Sequence, residues 1–386
     1  MTANQRTLVY LVSPAGAPNY GDELIAQTWL RHLALVAPDA DVVVDCLDAA
    51  KAAPHLAGLH PRVSFTDTLW QLCRRHWTLG AQGAAVAAER LVRSPGDAGD
   101  LAAGIERLLR ADVLHLLGGG YVNAIWSPCV GLLSGIATAA DLSGAVAAMT
   151  GQGLWPAPVN TGGLLSDLIA RFDVVDVRDQ PSAELTGRPE VRPTCDDALL
   201  GLVPHNAAGA EPAAVPGGPE VMVSVQSHLV EVEPAELVAF IGSVLEEWGV
   251  DGIGLLECSP KEDRSILALA ERKLPVLRRY SVAEVLADAL PAAPGQCWIS
   301  TRFHPHLVAA AAGASGIALS TRADYYGTKH RSLVESGSGW SLVEKLEIPP
   351  RPAAGGYPAE RLEQLRGEKL RVARLLYPAG RLSALR

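Results

Sequence analysis

The sequence is short of several things that would mark a class at once. It has no basic excess: 33 Lys and Arg stand against 42 Asp and Glu, a formal charge of -9, which argues against nucleic acid as a ligand. Its six cysteines include no C-x-x-C pair. Neither a zinc site nor a redox dithiol is signalled, and scattered cysteines fit free thiols in a reducing compartment. No apolar run is long and clean enough for a confident membrane span. The best stretch, Val130 to Met149, is broken by Asp141 and rich in Gly, Ser and Thr. The opening residues Met1 to Arg6 carry no apolar signal-peptide core. The expectation is a cytoplasmic protein. The negative average does not bar an anionic ligand, because a local group of arginines can override the mean field.

What is present is a globular chain of 386 residues with 48% hydrophobic composition, a length that favours two domains. Short β-branched runs alternate with longer amphipathic ones, the signature of parallel strands joined by helices. Strands are expected at Leu8–Val12, Val42–Val44, Asp112–Leu117, Ala145–Thr150 and Val174–Val177. After the Ala-, Gly- and Pro-rich segment 207–219, which reads as a linker, strands resume at Val221–Val225, Gly252–Glu257, Trp298–Ser300 and Gly316–Ser320. A helix over Ala359–Leu376 is expected to turn Leu362, Leu365, Leu370 and Leu375 toward a core. The domain expectation is therefore 1–206, linker 207–219, 220–350, and 351–386 packing back on the first domain.

In open α/β sheets ligands bind beyond the carboxyl ends of the strands, and the unusual residues fall there. Asn19-Tyr20-Gly21-Asp22-Glu23 follows the first strand, where Asn19 or Asp22 can cap the next helix. Gly118-Gly119-Gly120 permits close backbone approach to a phosphate, a sugar or simply another segment. In Gly151-Gln152-Gly153-Leu154-Trp155, the Gln can bridge hydroxyls and the Trp can stack on a sugar or anchor a turn. Arg178 ends a strand and offers a planar fork to a carboxylate or phosphate, or pairs with Asp179. Arg302-Phe303-His304-Pro305-His306 joins a buried strand to a helix. Those histidines find no Asp, Glu or Cys group to complete a metal site. In Tyr325–His330, Lys329 can reach a phosphate or lie in solvent.

Taken in order, these motifs together with Asp196-Asp197-Ala198 resemble the polysaccharide pyruvyl transferase family, from about Asn19 to about Leu333. The chain departs from the family pattern at Phe303, where an aliphatic residue is usual, at Pro305 and His306, and at Gln226, where many relatives carry Arg. The resemblance implies an α/β fold of two Rossmann-like domains facing a central cleft, GT-B-like. It implies phosphoenolpyruvate as donor, and a glycan of the cell envelope or an extracellular polysaccharide as acceptor. A lipid-linked acceptor would bring peripheral association with the inner face of the membrane. The product is a pyruvate ketal, and neither cofactor nor metal is called for.

On that footing His304 is the expected proton donor, with Asp22 or His306 assisting at the acceptor. Arg178, Arg302, Lys329 and His306 are expected to hold the donor. Asn19, Gly21, Gly118, Gly119, Gly120 and Gln152 are expected to form the acceptor-side cradle. Two rivals share the pattern: a GT-B glycosyltransferase using a nucleotide sugar, and a catalytically idle glycan-binding protein.

Overall fold

The structure is a computed structural model that describes residues 6–159, 161, 163–202, 214–215, 218–320 and 322–378. Most of the expected linker, at 207–213 and 216–217, lies outside the described residues. The chain divides into two compact units. The first comprises residues 1–17, 22–200 and 368–386, and the second residues 18–21 and 201–367.

The first unit is built on a parallel six-stranded sheet of β1 (Leu8–Ser13), β2 (Asp41–Cys46), β3 (Val63–Thr66), β4 (Val113–Leu116), β5 (Val146–Gln152) and β6 (Val174–Val177). Its order is β3-β2-β1-β4-β5-β6, the doubly wound order. β1 and β4 are almost wholly buried, as strands covered by helices on both faces must be. That explains why they read as unbroken apolar runs.

The second unit repeats the plan. A short pair joins β7 (Ala214–Val215) to β11 (Leu290–Pro291). The main sheet holds β8 (Val221–Ser224), β9 (Ile253–Leu256), β10 (Val276–Tyr280), β12 (Cys297–Ser300), β13 (Ser315–Leu319) and β14 (Ser341–Val343). Its order, β10-β9-β8-β12-β13-β14, is the same winding. The sequence reading missed β3, β10 and β14. These edge strands carry few fully buried residues, so they lack the apolar run by which the others were recognised.

The helix Tyr20–Val36 buries Ile25, Trp29 and Leu33. The helix Ala359–Leu376 has the expected bounds but a different buried face. Leu375 is 74% exposed, whereas Leu362, Leu365, Lys369, Ala373 and Leu376 are buried. Spacings of three and four residues make that one stripe of the helix, with a lysine in its middle.

Candidate functional site

In the second unit the site residues grow from the end of β12, a central strand buried along its length. The Ser300 hydroxyl accepts the Arg302 N–H at 3.0 Å and donates to the Arg302 carbonyl at 2.8 Å. This clasp sets Arg302 in extended backbone just before the helix Phe303–Ala311, whose start carries no side-chain cap. The Arg302 guanidinium is buried and paired with Asp263, with Glu262 at 3.5 Å. Burial opposes its charge, but Asp263 outweighs burial and holds it protonated above the ordinary arginine range. Asp263 is itself fixed, accepting the N–H groups of Cys258 at 3.0 Å and Ser259 at 2.9 Å. The fork is thus rigid before any ligand arrives, which is how bidentate anion sites gain orientation.

His304 is half-buried, with its ring edge-on to Phe303 at 5.1 Å. Phe303 is itself buried, so the bulkier side chain at this family position fills core rather than the site. The backbone of Gly21 lies against the His304 imidazole: a Cβ there would fall 1.8 Å from Nδ1. Gly21 N–H is held by the Asn19 side-chain oxygen at 3.1 Å, and Tyr20 N–H by the Cys258 carbonyl at 2.9 Å. The Asn-Tyr-Gly segment, expected on the acceptor side, therefore groups with the second unit and with His304.

His306 was expected to hold the donor and assist proton transfer, but the structure gives it an internal place. It is fully buried, stacked on Trp340 at 4.3 Å, and its ring nitrogens meet Ser338 Oγ at 2.9 Å and His330 Nδ1 at 3.0 Å. The protons can be assigned by elimination. The Thr301 carbonyl can only accept, so His330 Nε2 donates to it at 3.3 Å. His330 Nδ1 then accepts from His306 Nδ1, and His306 Nε2 accepts from Ser338. Burial lowers His306 well below the usual range and His330 to about 4, which fits two neutral rings. Lys329, one residue away, lies over the Tyr325 ring at 3.5 Å and is largely buried, a cation–π seat. Gln226 is buried, its side-chain oxygen accepts the Tyr326 hydroxyl at 2.9 Å, and its backbone N–H donates to Thr301 Oγ1 at 3.0 Å. It braces the loop that carries Tyr326.

In the first unit two glycine turns lie side by side at the ends of β4 and β5. Gly153 N–H donates to Gly119 O at 2.8 Å. Gly119 adopts φ +144°, and a Cβ there would strike the Tyr121 ring. Asp22 is half-buried, with one carboxylate oxygen 3.8 Å from that same missing Cβ. Gly120 gives its carbonyl to the Asn123 side chain at 2.8 Å. Gln152 does not reach outward as expected. It is buried, and its amide N–H is given to the Leu117 carbonyl. Arg178 is buried against Asp196 at 3.0 Å, and the bare backbone of Gly153 makes room for its guanidinium. It belongs to the first unit, whereas Arg302 belongs to the second.

The sequence reading passed over one cluster. Lys369, fully buried, pairs with Asp176 of β6 and with Asp197 at 3.0 Å. Asp197 also accepts from Trp29 Nε1 at 2.7 Å, Gly118 N at 2.9 Å and Thr150 Oγ1 at 2.6 Å. The available signal was a lysine standing in the apolar stripe of a helix, four residues after Leu365. Among the described residues no group of three or more His, Cys, Asp or Glu is placed to hold a metal ion. No helix among them is long and apolar enough to cross a membrane.

Solved structures resemble the whole chain at low identity. One is a Listeria monocytogenes protein assigned as a UDP-N-acetylglucosamine 2-epimerase, 11% identical with TM-score 0.52, the alignment covering 98% of this chain and 94% of that one. Another is HepE of Anabaena in complex with UDP-glucose, 13% identical with TM-score 0.50, covering 98% and 97%. At such identities the likeness establishes the fold, a GT-B-like pair of Rossmann-like α/β domains. No curated protein matches the sequence. The family model of the polysaccharide pyruvyl transferases matches residues 19–322, and the chain belongs to that family.

Proposed function

We propose that this transferase moves the pyruvyl group of phosphoenolpyruvate onto two hydroxyls of a sugar, releasing phosphate and leaving a cyclic ketal. The observation that carries the reading is the Arg302–His304 pair: a buried, pre-fixed guanidinium two residues before a half-buried imidazole, at the end of β12 and the uncapped start of a helix. Phosphoenolpyruvate is a carboxylate and a phosphate on one small alkene. It calls for cationic forks and helix N–H groups to bind it, and for a proton source at one carbon.

In this mechanism the His304 imidazolium protonates C3, making C2 electrophilic. A sugar hydroxyl oxygen forms a bond to C2. The C2–O bond to phosphorus breaks, and phosphate leaves with the electron pair. A second hydroxyl adds to C2 and closes the ring. The acceptor base takes the two hydroxyl protons in passing; one ends on His304 and one leaves on phosphate. Arg302 and Lys329 hold donor charge, and Asp22 is the proposed base at the acceptor. Arg178, expected to hold the donor with them, is proposed for the anion of donor or acceptor presented to the first unit. Gly21 and Asn19 set His304, while Gly118, Gly119 and Gly120 let the acceptor approach backbone. His306 and Gln152 are left out, because their polar atoms are spent internally. We place the reaction in the cytoplasm, at the inner membrane face where the acceptor is lipid-linked.

Thermal shift separates this reading from that of a nucleotide-sugar enzyme, since a ligand that binds only the folded state raises Tm. Phosphoenolpyruvate should raise it and UDP-glucose should not. Phosphate release in the presence of monosaccharide, oligosaccharide and lipid-linked sugar acceptors then distinguishes transfer from idle binding. A Tm raised by the nucleotide sugar alone would overturn the proposal.

A further inference from the structure

We infer that the segment Glu368–Tyr377 is a positioning element for the glycine turns of the first unit, with Lys369 and Tyr377 acting on the backbone of Gly118 and Gly151. Each turn is held by one buried carboxylate. Gly118 N–H donates to Asp197 and Gly151 N–H to Asp176, both at 2.9 Å. The contact is as close as backbone allows: a Cβ on Gly118 would lie 2.9 Å from the Asp197 carboxylate, and one on Gly151 2.5 Å from it. A shift of either aspartate therefore shifts a turn.

Two grips from the C-terminal segment fix those aspartates. The first is Lys369, which ion-pairs with both. Two carboxylates sharing a buried site repel, and without a cation one of them takes up a proton. Burial already raises Asp176 above the usual carboxylate range, and the ammonium opposes that. The second grip is a directed relay. Asp197 accepts the Thr150 O–H at 2.6 Å, so the Thr150 oxygen is left to accept His115 Nε2–H at 2.8 Å. His115 Nδ1 must then accept the Tyr377 O–H at 2.9 Å. Burial holds His115 neutral, lowered to about 3. Tyr377 thus selects the His115 tautomer, and the tautomer selects which way Thr150 points. Both grips end on the same carboxylate, from a stretch of chain that begins at Glu368, 171 positions after Asp197.

The local hold stands on geometry alone. Its consequence for catalysis rests on the reading of these turns as the acceptor's approach. Tyr377→Phe keeps the ring and removes one donor, so it is the principal variant. Lys369→Met is the second. Deuterium exchange followed by mass spectrometry reads peptides covering 117–120 and 150–153. In both variants exchange there should quicken about tenfold, while peptides from β8 and β12 keep the wild-type rate. Phosphate release should slow several-fold with the KM for phosphoenolpyruvate unchanged. Exchange that matches wild type in Tyr377→Phe, or that rises uniformly across β1, β2 and the turns, would overturn the inference. So would loosened turns with an unaltered transfer rate. If Lys369→Met does not fold, Tyr377→Phe decides alone. If the wild type releases no phosphate with any acceptor, the functional proposal fails while the exchange result still stands or falls by itself.

Discussion

The two units bury polarity beneath the same part of the same fold with different emphasis. Under its strand ends the first unit keeps one neutral ring, His115, among full charges: Lys369 between Asp176 and Asp197, and Arg178 on Asp196. Beside one ion pair, Arg302 with Asp263, the second unit keeps neutral rings: His306, His330 and Trp340, oriented by Ser338 and a carbonyl. Charge in a low-dielectric site is strong but demands an exact complement. A neutral hydrogen-bonded chain is cheaper to bury and is lost when one member takes a proton. The difference predicts distinct weaknesses.

The sharpest contrast is catalytic. His304→Ala should lower the transfer rate 10²–10⁴-fold, the usual range for a lost general acid, while phosphoenolpyruvate still raises Tm. Near-normal turnover would remove His304 from the proposed role.

Acid should weaken the neutral pair of the second unit. The folded-state value of His330 lies below that of the unfolded chain, so the unfolded chain binds more protons between pH 6.5 and about 4. Stability from the neutral pair is complete above pH 6.5 and is lost as pH falls through that window, by on the order of 3 kcal/mol. The Lys369 ammonium, raised above its ordinary value with burial opposing and the two aspartates prevailing, stays charged throughout the window. Denaturation curves at pH 7 and pH 4.5 should show the loss, and His330→Gln should reduce it. An equal loss in that variant would break the contrast.

Gly21→Ala tests geometry rather than charge. The new methyl must displace the His304 ring, and misplacement by about 1 Å costs on the order of 10²-fold in rate. The rate should fall with little change in Tm. A smaller effect is expected from Tyr326→Phe, which removes one buried hydrogen bond to Gln226 and should cost about 1 kcal/mol, read as a shift in denaturation midpoint.

Much of the molecule could be read from its sequence, for reasons these regions make plain. β1, β4 and β12 are buried on both faces, so their apolar runs announced them. The glycine turns and Arg302 stood out because their residue types are unusual at a strand end. His306 misled because sequence shows a residue's type and not its direction. On the helix Phe303–Ala311, His304 is half-buried against Gly21 while His306 is fully buried against Trp340. Lys369 was hidden for a different reason. Its partners Asp176 and Asp197 are far away along the chain, and a helix lysine is ordinarily solvated. Nothing local distinguishes it except its place in the stripe with Leu365 and Leu376.

That separation has a consequence for how the chain is made. Asp176 meets Lys369 across 193 residues, and the whole second sheet is translated between them. At about 5–20 residues per second, the aspartates wait on the order of ten to forty seconds for their cation. A nascent first half is therefore an unfinished domain, whatever its length of sheet. Its two carboxylates must share a proton, or stay hydrated, until the ribosome has passed residue 369. Fragments ending near residue 206 should accordingly be poor vehicles for studying the first sheet, and the last helix should be kept in any shortened version of this enzyme.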